Sequence, residues 1–366
     1  MIIELFSVSY NHKKLFDNLS KELDIKFEYY RYRRKKIKLS MDIFYFFRKV
    51  DFTESVEYSI KFFEARKNIK IPKFILKTYF FLELFEKYIR YILTLDSTRD
   101  YYIFWNGKKP RHLIAIQIVK LWNIKVLYME NGLLPHRLVL DLKGVNFENS
   151  VPRNREFFLN YKNNFELPFE LTPRIPENMN KFKKNREELP KKFIFIPFQV
   201  DYDSQILLYS SWIENMRKLF MVIKILSKNS DSVFVLKEHP SSKKNYNDLH
   251  IESKKIKNIV FMNGYSTQEL IEKSNAILTI NSTVGIESLL FKKKVVVLGQ
   301  AFYSINGITK TAKDINELIE IVNNLDKWKI DEVLIENFLK YLYYDYLIPL
   351  EKVSSIKFRE LLLSKN

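Results

Sequence analysis

Two carboxylates and one histidine stand where a predicted β-strand gives way to a loop: Glu130 in MENG, Asp203 in QVDYDSQ and His239 in KEHP. Open α/β sheets bind their ligands at the carboxyl ends of the strands, so these positions are where chemistry is expected. A pair of carboxylates converging on one sugar suits glycosyl transfer through a covalent intermediate. One attacks the anomeric carbon while the other handles the acceptor's proton. Quieter uses stay open, with Asp203 as a helix N-cap and Glu130 as an ion-pair partner. Lys237 and His239 can reach a phosphate from a turn that Pro240 stiffens. His12, His112, His136 and His250 have no ligand spacing such as HExxH, and Asp201-Tyr202-Asp203 lies outside a metal-binding context. Neither a metal nor a cofactor is expected.

The densest candidate stretch is 276–309, AILTINSTVGIESLLFKKKVVVLGQAFYSINGIT. It reads as a buried strand (Ala276–Asn281), a polar turn, a short helix from Thr283 to Phe291 and a second strand (Val295–Leu298). A loop with Gly299, Tyr303, Gly307 and Thr309 follows. A turn of small residues between strand and helix offers backbone N–H groups and the positive end of a helix dipole, a ready phosphate site. Ser282 or Thr283 is placed as N-cap, and Glu287 one turn later can accept hydrogen bonds from a ribose diol.

The elements that must hold these residues follow from periodicity. Residues 2–8 and 25–30 read as strands around a helix at Lys13–Leu23. From Asp42 to Leu95 the chain is helical, aromatic and basic, which suits core helices or a helix lying on an anionic bilayer. Strands at Tyr102–Trp105 and Lys125–Met129 end in WNGKKPRH and ENGLLPHR, which brings Asn106 and Arg111 beside Glu130 as candidates. Residues 161–191 are rich in Pro, Asn, Lys and Glu and read as an interdomain linker. Beyond it, strands at Phe193–Pro197, Val233–Lys237 and Ile259–Met262 alternate with helices, one at Ile206–Ser227 and one opened by a Ser266-x-x-Glu269 capping box. The expected fold is α/β with two Rossmann-like halves facing across a cleft, a GT-B-like arrangement. The domains are 1–170 with a helical insertion at 42–98, a linker at 171–191, a nucleotide-sugar domain at 192–330, and C-terminal helices at 331–366 packing back on the first domain.

Composition narrows the classes. The chain has 366 residues, 46% hydrophobic and 28% charged, enough for two full cores. It has no cysteine, which excludes disulfides and thiolate metal sites and fits a cytoplasmic setting. The N-terminus lacks a signal-like apolar core, and no run approaches the ~18 apolar residues of a membrane span. Seven glycines are few for this length, and both GxGxxG and the P-loop pattern are absent. A net charge of +18 calls for an anionic partner or reflects a Lys-rich surface.

At these residues the chain resembles the capsule polysaccharide biosynthesis family of retaining β-Kdo glycosyltransferases, the capsule-linker and O-antigen-terminating Kdo transferases. The matching segments, in order, are MENGLLP with DLKGVNFENSVPRN, IPFQVDYDSQI, LKEHP and INSTVGIESLLFKKKVVVLGQAFYSINGIT. The first 100 residues and the tail carry no matching motif. The resemblance implies transfer of Kdo from CMP-β-Kdo with retention, by double displacement, to a glycan or lipid-linked glycan. It implies Asp203 as nucleophile and Glu130 as acid/base. Lys237, His239, Pro240, Gln199, Asn281, Ser282, Thr283, Gly285, Glu287 and Tyr303 fall on the donor side. Arg153 or Arg111 is expected to hold the Kdo carboxylate, with Asn106 and Asn146 toward that sugar or the acceptor. Phe198 and Asn131 depart from the residues frequent in the family. Rival readings are a transferase of another CMP-sugar, a sugar 2-epimerase or a CDP-polyol phosphotransferase. An epimerase needs more acidic groups near the 282–287 turn than Glu287 alone. A non-catalytic membrane or nucleic-acid adaptor would leave the placement of the glycines unexplained. The expected location is the cytoplasm, with peripheral contact at an anionic membrane and no nucleic-acid partner.

Overall fold

The computed structural model describes residues 1–31, 42–67, 69, 71–134, 136–168, 187–349 and 355–363. The chain divides into two compact units, Met1–Gly132 with His136–Ser150 and Leu347–Asn366, and Leu133–Pro135 with Val151–Tyr346. In the first, the order is β1 (Ile2–Phe6), α1 (Lys13–Leu23), β2 (Lys26–Tyr29), α2 (Asp42–Phe47), α3 (Thr53–Arg66), α4 (Lys73–Thr94), β3 (Tyr101–Trp105), α5 (Pro110–Leu121), β4 (Lys125–Asn131) and β5 (Arg137–Asp141). The second unit begins with α6 (Arg155–Asn160), β6 (Ile194–Pro197), α7 (Ser204–Tyr209), α8 (Met216–Lys228) and β7 (Phe234–Lys237). It continues with α9 (Asn247–Ser253), β8 (Ile259–Phe261), α10 (Thr267–Lys273), β9 (Ala276–Thr279), α11 (Val284–Leu290), β10 (Lys294–Val297), β11 (Lys310–Thr311), α12 (Ile315–Asn323) and α13 (Glu332–Lys340). Finally β12 (Ile348–Pro349) and α14 (Ser355–Leu363) rejoin the first unit.

Each unit is a six-stranded sheet, ordered β12-β5-β4-β3-β1-β2 in the first and β11-β10-β9-β6-β7-β8 in the second. The second sheet is parallel throughout and buried on both faces, so its strands are continuously apolar. Alternation along those strands sorts the side chains. Ile194, Ile196, Phe234, Leu236, Ala276 and Leu278 enter one core with α8 and α12. Phe193, Phe195, Val235 and Ile277 enter the other, with Leu270 and Ile271 of α10. In the first unit Ile3, Leu5, Ile103, Leu127 and Leu138 pack on Phe16 and Leu19 of α1, and Phe358 and Leu362 of α14 join them. The other face carries aromatic α4, whose Tyr88 and Tyr91 are fully buried.

Both sheets grow in two directions from an inner pair of strands. In the second unit β6, β7 and β8 extend one way, then the chain crosses back and β9, β10 and β11 extend the other, so the order reverses between β6 and β9. In the first unit the reversal lies between β1 and β3. Such reversal points open a crevice at the carboxyl ends of the strands.

Several sequence expectations are met in altered form. The helix expected at 206–227 is two helices, because Asn215 caps α8 by accepting the Lys218 N–H at 2.9 Å. Trp212 between them donates Nε1–H to the Leu298 carbonyl at 2.7 Å. The Ser266/Glu269 capping box is formed by both of its bonds, at 3.1 and 2.8 Å. Strand β5 was not foreseen; it runs antiparallel to β4. Of the last helices α14 packs in the first unit, whereas α13 belongs to the second and runs into a π-helical turn, Tyr341–Tyr346. The compact units change over at 150/151 rather than in the segment read as a linker, of which residues 169–186 lie outside the described residues.

Candidate functional site

In the second unit the loops after β9, β6 and β7 lie side by side at the carboxyl ends of three adjacent strands. They carry Asn281–Thr283, Gln199–Asp203 and Lys237–Pro240. A buried amide pair fastens the first two loops. Gln199 Nε2 donates to Asn281 Oδ1 at 3.0 Å, and the Asn281 N–H donates to Gln199 Oε1 at 3.3 Å. Asn281 Nδ2 also donates to the Gln205 carbonyl at 2.8 Å. Gln199 and Asn281, 7% and 1% exposed, therefore hold the frame at the β6/β9 reversal.

Asp203 is exposed and caps α7, with Oδ1 accepting the Gln205 N–H at 2.8 Å. Asp201, two residues earlier, is buried and does separate work. Its carboxylate accepts the Met216 N–H at 2.8 Å and the Tyr246 hydroxyl at 3.3 Å, and burial raises its pKa. Among the described residues no group of three His, Asp or Glu is placed to hold a metal ion.

At the end of β7 the Ser241 N–H donates to His239 Nδ1 at 3.1 Å. The neutral ring therefore carries its proton on Nε2, as a donor. Burial lowers the His239 pKa, the Asp203 carboxylate opposes the fall and Lys237 adds to it. Burial lowers the Lys237 pKa as well, and its Nζ donates to the Asn263 carbonyl at 3.1 Å. Asn263 also accepts the Glu238 N–H at 2.8 Å and donates to Glu238 Oε1 at 2.9 Å, an oxygen that His250 Nε2 meets at 2.7 Å. Sequence reasoning passed over Asn263 and Glu238, and weighed His250 only as a metal ligand. The available signal was the Asn-Gly pair closing β8, a counterpart of Asn106-Gly107 and Asn131-Gly132 at the ends of β3 and β4.

Behind the 281–283 turn, Tyr303 is 1% exposed and donates its hydroxyl to the Ser282 carbonyl. A Cβ on Gly285 would meet that hydroxyl at 2.5 Å, so only glycine lets the ring approach. Ser282 Oγ accepts the Val284 N–H at 3.2 Å, whereas Thr283, the N-cap of α11, makes no side-chain capping bond. Glu287 is 7% exposed on the first turns of α11, and its charge adds to the burial that raises the Tyr303 pKa. Arg153 donates to the Val151 carbonyl and lies 5.4 Å from the Phe302 ring centroid.

In the first unit Asn106 and Glu130 meet at the ends of β3 and β4. Asn106 Nδ2 donates to Glu130 Oε2 at 2.7 Å, and Glu130 Oε1 accepts the Asn131 N–H at 2.9 Å. Asn106 and Gly107 have φ of +61° and +76°, so this strand end turns through the left-handed region. Asp141, 1% exposed, gathers the following loop by accepting the Lys143 N–H at 2.7 Å, the Ser150 N–H at 2.7 Å and the Ser150 hydroxyl at 2.8 Å. Asn146 is on that loop with φ +57°, and Glu148 pairs with buried Lys108 beside Asn106. Arg111 is exposed in the first turn of α5. His12, from the loop after β1, packs on Trp105 at 4.9 Å, a neighbour that sequence reasoning did not assign.

Several known proteins are similar to this chain. The family described as Capsule polysaccharide biosynthesis protein matches residues 171–349. Protein FixF of Sinorhizobium fredii is 33% identical over 249 residues, 67% of this chain and 60% of that protein. Capsule polysaccharide modification protein LipB of Neisseria meningitidis is 28% identical over 144 residues, 36% of this chain and 33% of LipB. The chain thus spans between a third and three fifths of these relatives' length. Among solved structures, the beta Kdo 2,7 transferase of Thermosulfurimonas dismutans KpsC aligns with 99% of this chain and 98% of its own at 15% identity, with a TM-score of 0.48. Residues 171–349, which carry every loop of the second-unit site, match the capsule polysaccharide biosynthesis family.

Proposed function

We propose that this chain is a glycosyltransferase that moves Kdo from CMP-β-Kdo to a glycan or lipid-linked glycan acceptor, with retention of configuration. One observation carries the reading. Asp203, His239 and the Ser282–Thr283 turn occupy the carboxyl ends of three neighbouring parallel strands at the reversal point of the second sheet. That is the place for a nucleotide-sugar phosphate with a nucleophile beside it.

In the first step the Asp203 carboxylate attacks the anomeric carbon of Kdo. A carbon–oxygen bond to Asp203 forms as the bond to the CMP phosphate breaks, and CMP departs with the electron pair. The leaving phosphate gains negative charge, and in this reading the His239 Nε2–H, Lys237 and the Thr283 hydroxyl stabilise it. In the second step an acceptor hydroxyl attacks the same carbon and releases Asp203, giving its proton to Glu130, held in orientation by Asn106. Two inversions give retention. Arg153 or Arg111 supplies the cation for the Kdo carboxylate.

The test is intact-protein mass spectrometry with CMP-Kdo generated in situ, comparing the wild type with Asp203→Ala. An added mass of one Kdo in the wild type alone supports the donor, the nucleophile and the covalent step together. Release of CMP with no adduct in either protein, under rapid quenching, would remove the covalent step. Binding of CMP without turnover of CMP-Kdo would remove Kdo as the sugar.

A further inference from the structure

The helical layer of the first unit has an exposed apolar face that is not packed on another described element. Helix α4 turns Leu76, Leu84, Tyr88 and Tyr91 inward. Its opposite face leaves Phe74 70%, Ile75 46%, Tyr79 61% and Leu82 58% exposed. The spacings 74/78/82 and 75/79 put these side chains on one continuous stripe. Ile69, between α3 and α4, is 58% exposed. Core packing therefore accounts for one side of this helix and leaves four large apolar side chains on the other.

Charge gathers at the same end. Residues 61–77 contain six Lys or Arg against one carboxylate, Glu64. Lys61, Lys67, Lys73 and Lys77 are exposed and form no ion pair among the described residues. Farther along α4, Lys87 and Arg90 are neutralised by Glu86. The unpaired positive charge thus flanks the apolar stripe at the N-terminal end of α4 and nowhere else along it. No described helix is long and apolar enough to cross a membrane, and an apolar stripe flanked by lysines is the pattern of helices that lie in a membrane interface.

We propose that the α3–α4 end of the first unit docks on an anionic lipid bilayer. Phe74, Ile75, Tyr79 and Leu82 enter the headgroup–acyl boundary, and the lysines extend their ammonium groups to the lipid phosphates. This surface is independent of the donor reading and stands or falls separately from it.

The experiment is cosedimentation of the full chain with phosphatidylcholine vesicles, with and without phosphatidylglycerol, at low and high salt. The wild type should partition about tenfold or more in favour of the anionic vesicles, with the preference shrinking as salt screens the lysines. Phe74→Glu with Tyr79→Glu should lower partitioning about tenfold at both salt levels. Lys73→Gln with Lys77→Gln should lower it at low salt and flatten the salt dependence. All four changes are on exposed positions, and unchanged melting temperatures verify that the variants are folded. Equal partitioning of the wild type to both vesicle types, or variants that bind like the wild type, would overturn the proposal. So would a wild-type dimer that Phe74→Glu dissociates while vesicles bind neither protein, since the stripe would then be a self-association surface.

Discussion

Asp203 is a helix cap that the proposed mechanism also makes the nucleophile, and substitution separates the two roles. It caps α7 through Oδ1. Asn caps as well as Asp, so Asp203→Asn should melt within ~1 °C of the wild type while transfer falls at least ~10³-fold for want of a nucleophile. Asp203→Ala loses the cap as well and should cost about 1 kcal/mol more in stability. Retention of a tenth of the wild-type rate in Asp203→Asn would exclude it as nucleophile. Asn106 offers a second separation. With φ at +61°, replacement by Ala strains the backbone, whereas Gly accepts it and removes only the amide that holds Glu130. Asn106→Gly should therefore lower kcat about 10- to 100-fold with KM for the donor nearly unchanged. A change in donor KM alone would place Asn106 on the donor instead. At this scale the sequence marked the polar residues at strand ends but not their obligations. Nothing in the motif QV…D shows that the Gln199 amide is engaged with Asn281, a residue 82 positions away.

Among the elements, α5 carries a pH liability within the core of the first unit. His112 is fully enclosed and lies against Phe6 and Phe104. Burial lowers its pKa from 6.5 to about 3, with Lys109 and Arg111 adding to the fall. Between those values the unfolded chain binds the extra proton. Stability is therefore full above about pH 6.5 and declines as pH falls toward about 3. His112→Leu should make the melting temperature less steep across that range than in the wild type, as read by thermal denaturation at successive pH values. His12 and His239, also lowered by burial, leave part of the slope in place, whereas buried Glu4 and Asp201, with raised pKa, act with the opposite sign above their ordinary values. Identical slopes in the two proteins would show that His112 does not carry the effect. Helix α11 offers a steric counterpart. Gly285→Ala drives a Cβ into Tyr303 from 2.5 Å and should destabilise by roughly 1–3 kcal/mol while weakening CMP binding, because the same ring supports the 282 carbonyl. A melting temperature and CMP affinity equal to the wild type's would contradict that coupling.

For the molecule as a whole, the donor reading makes a prediction about where binding is felt. Hydrogen exchange of the full chain with saturating CMP should slow at 199–205, 237–242 and 281–285, the loops of β6, β7 and β9. The first unit's loops at 106–109 and 130–132 should stay unchanged. Protection of the first unit alone would move the nucleotide there and dismantle the mechanism.

Local patterning by itself determined the α/β class, the strand-end residues and the capping box, because each rests on short-range physics: side-chain alternation, turn chemistry and a three-residue cap. Asn-Gly pairs and scarce glycines likewise marked the tight strand ends. The tertiary structure decided the rest. The 206–227 helix broke because Trp212 and Asn215 find distant or local partners that periodicity does not register. Strand β5 emerged because a short apolar run becomes a strand only when β4 offers it an edge. The reversal between β6 and β9 that gathers the candidate site depends on the order in which strands pair, a long-range choice. Which aromatic residues of α4 are core and which are surface depended on where α3 and α5 cover it. Periodicity describes one segment's faces, and packing between segments decides what each face meets.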